Sequence, residues 1–354
     1  MALHKTKDSQ NKLSNSYKRL VFDEIIANLI ILNKNRRKIK KKKTKKLFNS
    51  VISKKIIKEL PFRLTKSQII VFNEINNDLK SNTRMFRILQ GDVGSGKTIV
   101  SFLAASNVIE NRQQCALMAP TEILANQHFN LAKKIFSKTN VKIEFLSGKT
   151  ETKIKKKIIE NLEKGNVDFL IGTHSLFQKK INFKNLGLSI IDEQHKFGVK
   201  QRSDLAKKGG NECDVLLMSA TPIPRTMMMS IYGDMDVSKI NEKPQARKPI
   251  MTLSKPENKV DELWPYVEKQ INLQNQVFWV CPLIKESAFL DFTAAKKKFD
   301  IINKRFPGKV GLIYGSLEKR EKEIILKKFL KKEILILVST TVIEVGIDFP
   351  NANL

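Results

Sequence analysis

The chain is poor in the residues that staple or metallate small proteins: its 354 residues hold three cysteines and four histidines. Cys115, Cys213 and Cys281 lie far apart, each in or beside an apolar run that reads as a strand, so buried free thiols are expected rather than a disulfide framework. His4, His128, His174 and His195 form no pair at metal-ligand spacing, which argues against a zinc site. Long apolar runs are also missing. Ile25 to Leu32 is the longest and falls far short of the ~20 residues that span a bilayer. Asp23 and Glu24 just before it spoil it as a signal-peptide core, so no membrane or export role is expected, and a cytoplasmic location is. Acidic residues are scarce too, 35 against 65 Lys and Arg, for a formal charge of +30. That excess predicts attraction to polyanions, nucleic acid first. A lysine habit of the whole sequence would give the same number, because lysine is spread through every segment, so charge alone does not choose.

Enough apolar residues remain, 41%, to build real cores, and the length exceeds what one core usually serves. The first 60 residues read as a basic leader. Leu20, Val21, Ile25, Leu29 and Leu32 recur at helical spacing, and nine of the eleven residues from Arg36 to Lys46 are basic. An amphipathic helix running into a solvated tail is expected, with a phosphate contact or a nuclear address as other uses of the basic run.

From Pro61 short apolar strands alternate with amphipathic helices: Met85 to Gln90, Cys115 to Ala119, Ile143 to Leu146, Asp168 to Gly172, Leu188 to Asp192 and Val215 to Ser219. Such alternation predicts a parallel sheet covered by helices, with active residues at the carboxyl ends of its strands. Residues 241–256 carry three prolines and no apolar period, which reads as a linker. The alternation resumes with strands at Gln276 to Cys281, Val310 to Tyr314 and Ile334 to Ser339. The expected fold is therefore α/β, with a first lobe at 61–240 and a second at 257–354 that has few strands and reads as incomplete.

The strongest chemical signal is Gly91-Asp92-Val93-Gly94-Ser95-Gly96-Lys97-Thr98, placed between a strand and a helix. Its glycines let backbone N–H groups curl around phosphate oxygens at a helix N-terminus. Lys97 can reach the β and γ phosphates and Thr98 can ligate magnesium. Downstream, the buried-strand pattern Leu188-Ser189-Ile190-Ile191 ends in Asp192-Glu193-Gln194-His195. Asp192 is expected to hold the metal and Glu193 to polarise the attacking water. An acidic pair at a strand end more often caps a helix; its weight here comes from the phosphate loop about a hundred residues earlier. A third strand runs into Ser219-Ala220-Thr221-Pro222, which by itself reads as a turn.

These residues, with further runs in series, resemble the superfamily two helicases and specifically the RecG-type helicases of branched DNA. The resemblance rests on LQGDVGSGKT at 89–98, APTEILANQH at 119–128, IGTHSLFQ at 171–178, IIDEQHKFGVKQR at 190–202, LLMSATPIPRT at 216–226, FWVCPLI at 278–284 and STTVIEVGIDFPNA at 339–352. It implies two RecA-like P-loop lobes, ATP and magnesium as cofactors, branched duplex DNA as partner, and a monomer. By it, Gln194 and His195 link the nucleotide to the rest of the motor, and Ser219 and Thr221 couple hydrolysis to DNA movement. Pro120, Thr121, Glu122, Gly172, Thr173 and His174 lie along the DNA track, Thr340 and Thr341 face DNA from the second lobe, and Gly346 and Asp348 approach the nucleotide. Phe62 and Gln68 match an adenine-reading element, although Thr65-Lys66-Ser67-Gln68 is equally a helix capping box.

Against that family, Lys196 stands where arginine is usual, which keeps the charge and loses a bidentate fork. A wedge domain before residue 1 and an arginine-finger motif after Leu354 are also expected in the full-length protein, so weak turnover is expected of this chain alone. The motor of the transcription-repair coupling type, a DNA- and ATP-binding module without turnover, and an RNA helicase are the other readings.

Overall fold

The computed structural model describes residues 15–39, 42–178, 180–193, 208, 210, 212–221, 235–242, 250–281, 288–340, 349 and 351–354. The chain divides into two compact units, Met1–Ala246 and Arg247–Leu354.

Among the described residues of the first unit seven strands form one sheet: β1 (Phe86–Gly91), β2 (Gln114–Met118), β3 (Ile143–Leu146), β4 (Phe169–Gly172), β5 (Leu186–Ile191), β6 (Asp214–Ser219) and β7 (Asp236–Ile240). Their order is β3-β4-β2-β5-β6-β1-β7 and every pairing is parallel. Strands β2, β4, β5 and β6 are buried at every position, as strands covered on both faces must be. Six of the seven match the apolar runs in the sequence. The seventh, DVSKI at the sheet edge, escapes that pattern because it has only two apolar residues.

Helix α1 spans Asn15–Ile39, α2 Val51–Glu59, α3 Lys66–Lys80, α4 Lys97–Glu110, α5 Glu122–Ile135 and α6 Thr152–Lys164. Helix α4 is apolar nearly all round, and residues 99–109 are buried, because it lies between the sheet and a further layer made by α2 and α3. Phe102 at its centre meets Phe169 edge-on, with ring centroids 5.7 Å apart. The opposite face packs Ile158 and Leu162 of α6 with Leu176, Ile181 and Leu186.

The basic leader departs from the expected solvated tail. Part of the run continues α1 to Ile39, and the segment 42–50 is a strap bound to the first unit. Lys43 Nζ donates to both carboxylate oxygens of Asp214, at 2.8 and 2.7 Å, and Lys46 Nζ to one of them at 2.7 Å. All three side chains are essentially without solvent exposure. Burial pulls the Lys43 ammonium below its ordinary pKa, and the Asp214 charge opposes that pull. Lys43 Nζ also lies 3.1 Å from the carbonyl oxygens of both Asp78 and Leu79, which share its third N–H, while Phe48 is buried beneath the Lys80 ammonium. The lysines therefore close the bottom of the sheet, where a buried charge is tolerated because it is paired and hydrogen-bonded.

The second unit has a three-stranded parallel sheet among its described residues, in the order β8 (Val277–Val280), β10 (Ile336–Ser339), β9 (Val310–Ile313). Helices α7 (Trp264–Asn272), α8 (Ala288–Arg305) and α9 (Lys319–Leu330) accompany it. Trp264 stacks on Trp279 with ring centroids 5.3 Å apart, and Phe278, Phe329 and Phe349 form an aromatic trio. All three cysteines are buried free thiols, as expected. No helix among the described residues is long and apolar enough to cross a membrane.

Candidate active site

Strands β1, β2, β4, β5 and β6 are neighbours and parallel, so their carboxyl ends come out along one edge of the sheet. In register, Gln90 of β1 lies beside Ser219 of β6, Leu217 of β6 beside Ile191 of β5, and Met118 of β2 beside both Ile191 and Gly172. The phosphate loop, the Asp192-Glu193 pair, the Ser219-Thr221 turn, Pro120 to Glu122 and Gly172 to His174 thus share that edge, although they are scattered over about 130 residues of sequence.

The loop from Asp92 to Gly96 joins β1 to α4. Gly94 and Gly96 have φ of +75° and +88°, a region that favours glycine. A Cβ at Gly96 would sit 2.3 Å from the side-chain nitrogen of Gln68. That nitrogen donates to Ser95 O at 2.8 Å, while Gln68 Oε1 accepts from Thr65 N at 2.9 Å. Thr65 Oγ1 accepts from Gln68 N, completing the capping box. Gln68 therefore caps α3 and also braces the loop, a second contact that its sequence position does not show. Phe62 is half exposed, next to a cavity of about 750 Å³ that it lines with Arg63, Leu64 and Ile69.

Lys97 Nζ donates to Gly91 O at 2.7 Å and Asp92 O at 3.1 Å, so its ammonium lies folded against the loop. Burial lowers its pKa, and the nearby carboxylates of Asp192, Glu193 and Asp92 act in the opposite sense. The lysine thus sits within electrostatic reach of the acidic pair. Ser95 Oγ is buried inside the loop without a hydrogen-bond partner among the described residues. Thr98 is half buried in the first turn of α4.

Asp192 and Glu193 are both buried at the end of β5, and Glu193 has φ of +44°, a strained value for a non-glycine residue. Asp192 Oδ1 accepts from Glu193 N at 2.9 Å, and Asp192 Oδ2 lies 2.7 Å from His128 Nε2 on α5. His128 stands at the end of the run APTEILANQH, but its pairing with a residue 64 positions away has no local sequence signature. Ser219 and Thr221 come together, their hydroxyl oxygens 3.1 Å apart.

Thr121 caps α5 by accepting from Leu124 N, and Lys149 pairs with Glu122. Thr173 is buried and His174 exposed. Gly172 is required by close approach, since a Cβ there would lie 2.0 Å from Leu146 O. In the second unit Thr340 is buried after β10, its hydroxyl without a partner among the described residues. Gln194, His195, Lys196, Thr341, Gly346 and Asp348 lie outside the described residues.

Residues 65–230 match the DEAD/DEAH box helicase family and residues 258–354 the helicase conserved C-terminal domain. The RecG helicase of Aquifex aeolicus is 43% identical over 99% of this chain and 45% of its own length. That of Thermotoga maritima is 44% identical over 96% of the chain and 44% of its length. A solved structure of RecG bound to a three-way DNA junction superposes with a TM-score of 0.83 at 40% identity, covering 95% of this chain and 44% of that one. The chain belongs to the RecG helicase family. It spans rather less than half the length of the RecG relatives it matches. The two RecA-like lobes expected from the RecG resemblance are present as the two parallel-sheet units.

Proposed function

We propose that this RecG-family chain is the ATP-hydrolysing motor of a helicase that translocates on branched DNA. The observation that carries the reading is the convergence of Lys97 with Asp192 and Glu193 at the carboxyl edge of one parallel sheet. The RecG structure held on a three-way junction supports the choice of DNA over RNA as track.

The residues fit a magnesium nucleotide. Ser95 offers a buried hydroxyl with no partner among the described residues, the glycines at 94 and 96 leave the loop open to phosphate oxygens, and Thr98 and Asp192 supply the hard oxygen donors that magnesium takes. Bound magnesium supplies charge neutralisation at the β and γ phosphates. Lys97 exchanges its two loop carbonyls for phosphate oxygens. Glu193 orients the attacking water and accepts its proton, and its buried, strained position keeps the carboxylate from wandering. Ser219 and Thr221, at the end of β6 beside β1, respond to the state of the loop. Pro120 to Glu122 and Gly172 to His174 bind the DNA backbone at the same edge.

Steady-state ATP turnover of the purified chain, with and without forked DNA, tests the reading. DNA-stimulated hydrolysis that falls at least about 100-fold in Lys97→Ala and in Glu193→Gln supports it. Turnover that persists in both variants would place the chemistry elsewhere.

A further inference from the structure

Among the described residues two hydrogen bonds hold the Asp192 carboxylate, and they come from different parts of the fold. One is local, from the backbone N–H of Glu193 to Oδ1 at 2.9 Å. The other reaches across from α5, where His128 Nε2 meets Oδ2 at 2.7 Å, with imidazole and carboxylate both nearly free of solvent. A carboxylate oxygen only accepts, so Nε2 is the donor. The local bond leaves the carboxylate free to pivot about its own oxygen, and the imidazole removes that freedom. Each oxygen keeps a lone pair for a further partner, so the arrangement orients the carboxylate without using it up.

The helix that carries the imidazole is itself anchored. Thr121 caps its first turn, Lys149 holds Glu122, and Leu124 and Ala125 are buried beneath it. His128 therefore ties Asp192 to the helix that starts at Glu122, directly after Pro120 and the capping Thr121. We infer that His128 is a positioning residue of the nucleotide site, holding Asp192 in the orientation that receives magnesium and fixing that orientation to α5. The inference rests on the reading of Asp192 as a magnesium ligand.

The test is binding of a fluorescent ATP analogue to the purified chain, titrated with magnesium or kept in chelator, so that no turnover is needed. His128→Ala is expected to raise the magnesium concentration for half-maximal tightening about 10-fold or more, the usual effect of losing an outer hydrogen bond to a metal ligand. Affinity in chelator should stay unchanged. His128→Gln, whose amide nitrogen reaches the position of Nε2, should recover most of the loss, and His128→Asn, whose amide falls short of Oδ2, should not. Should the alanine variant fail to fold, the glutamine and asparagine pair decides, and equal behaviour of those two overturns the inference. It is also overturned by wild-type magnesium dependence in His128→Ala, or by equal weakening with and without magnesium, which would mark a packing role. Asp192→Asn separates the two claims. If that variant keeps wild-type magnesium dependence, the ligand reading falls and takes the inference with it; if it loses the dependence while His128→Ala does not, only the inference falls.

Discussion

Asp214 begins β6 at the end of the sheet opposite Ser219, and it satisfies the Lys43 and Lys46 ammoniums together with the backbone N–H of Met85, which lies 2.6 Å from Oδ1. Asp214→Ala would leave two buried cations without their counter-charge and the Met85 N–H without its acceptor. Removing one partner from such a cluster costs about 3–5 kcal/mol, and urea unfolding of the first unit should show a loss of that size. A change below about 1 kcal/mol would mean that water reaches the lysines. The thiols offer a second check at this scale. Burial pushes the Cys213 thiol up to about 11, and that of Cys115 well above its ordinary value. The folded state thus holds these protons when the unfolded state has lost them. The stability they contribute is complete below the unfolded value of 9.0 and is lost as pH rises from there through 11. Iodoacetamide at pH 8 should leave both unmodified in the native chain and alkylate both in urea; rapid native labelling would show that the sheet opens locally.

Helices and strands were legible in the sequence wherever burial is reported by composition alone. The runs CALMA and LSII are strands because no charged residue interrupts them, and α4 follows the phosphate loop because that loop needs a helix N-terminus. What escaped has a physical reason in each case. VISKKIIKE forms α2, yet its lysines merge with the basic run before it, and the Lys43 and Lys46 partner lies 171 and 168 residues away. The double duty of Gln68 was half visible, since a capping box is local and its bond to Ser95 is not. That bond makes Gly96 the sharpest test of the loop as an element. Gly96→Ala would force a left-handed backbone at a cost of about 1–2 kcal/mol and drive a methyl into the Gln68 amide. Nucleotide affinity should fall with only a modest drop in melting temperature, and Gln68→Ala combined with Gly96→Ala should cost less than the sum of the two, because the first change removes what the second collides with. Additive losses would show that the amide plays no part in shaping the loop.

At the scale of the whole chain, the two units have separate cores, one built around α4 and the seven-stranded sheet and one around Trp264, Val267 and Ile336. Separate cores imply separable unfolding transitions. Every described residue assigned to the phosphates, the metal or the attacking water belongs to the first unit, whereas the family resemblance also brings Gly346 and Asp348 of the second unit to the nucleotide. Calorimetry distinguishes these contributions, because a ligand raises only the transition of what it binds. At 100 times its Kd, magnesium ATP should stabilise the first unit by about 2.7 kcal/mol, which for a unit of this size is a rise of about 5–10 °C. If Lys97 and its loop provide the affinity, only one transition moves, and Lys97→Ala cancels the movement. A nucleotide that also engages Gly346 and Asp348 would raise both transitions, and Asp348→Ala would then return the second to its ligand-free position while leaving the first raised. The two patterns separate a chain that holds nucleotide in one lobe from one that already uses both, which is the property a translocating motor must have.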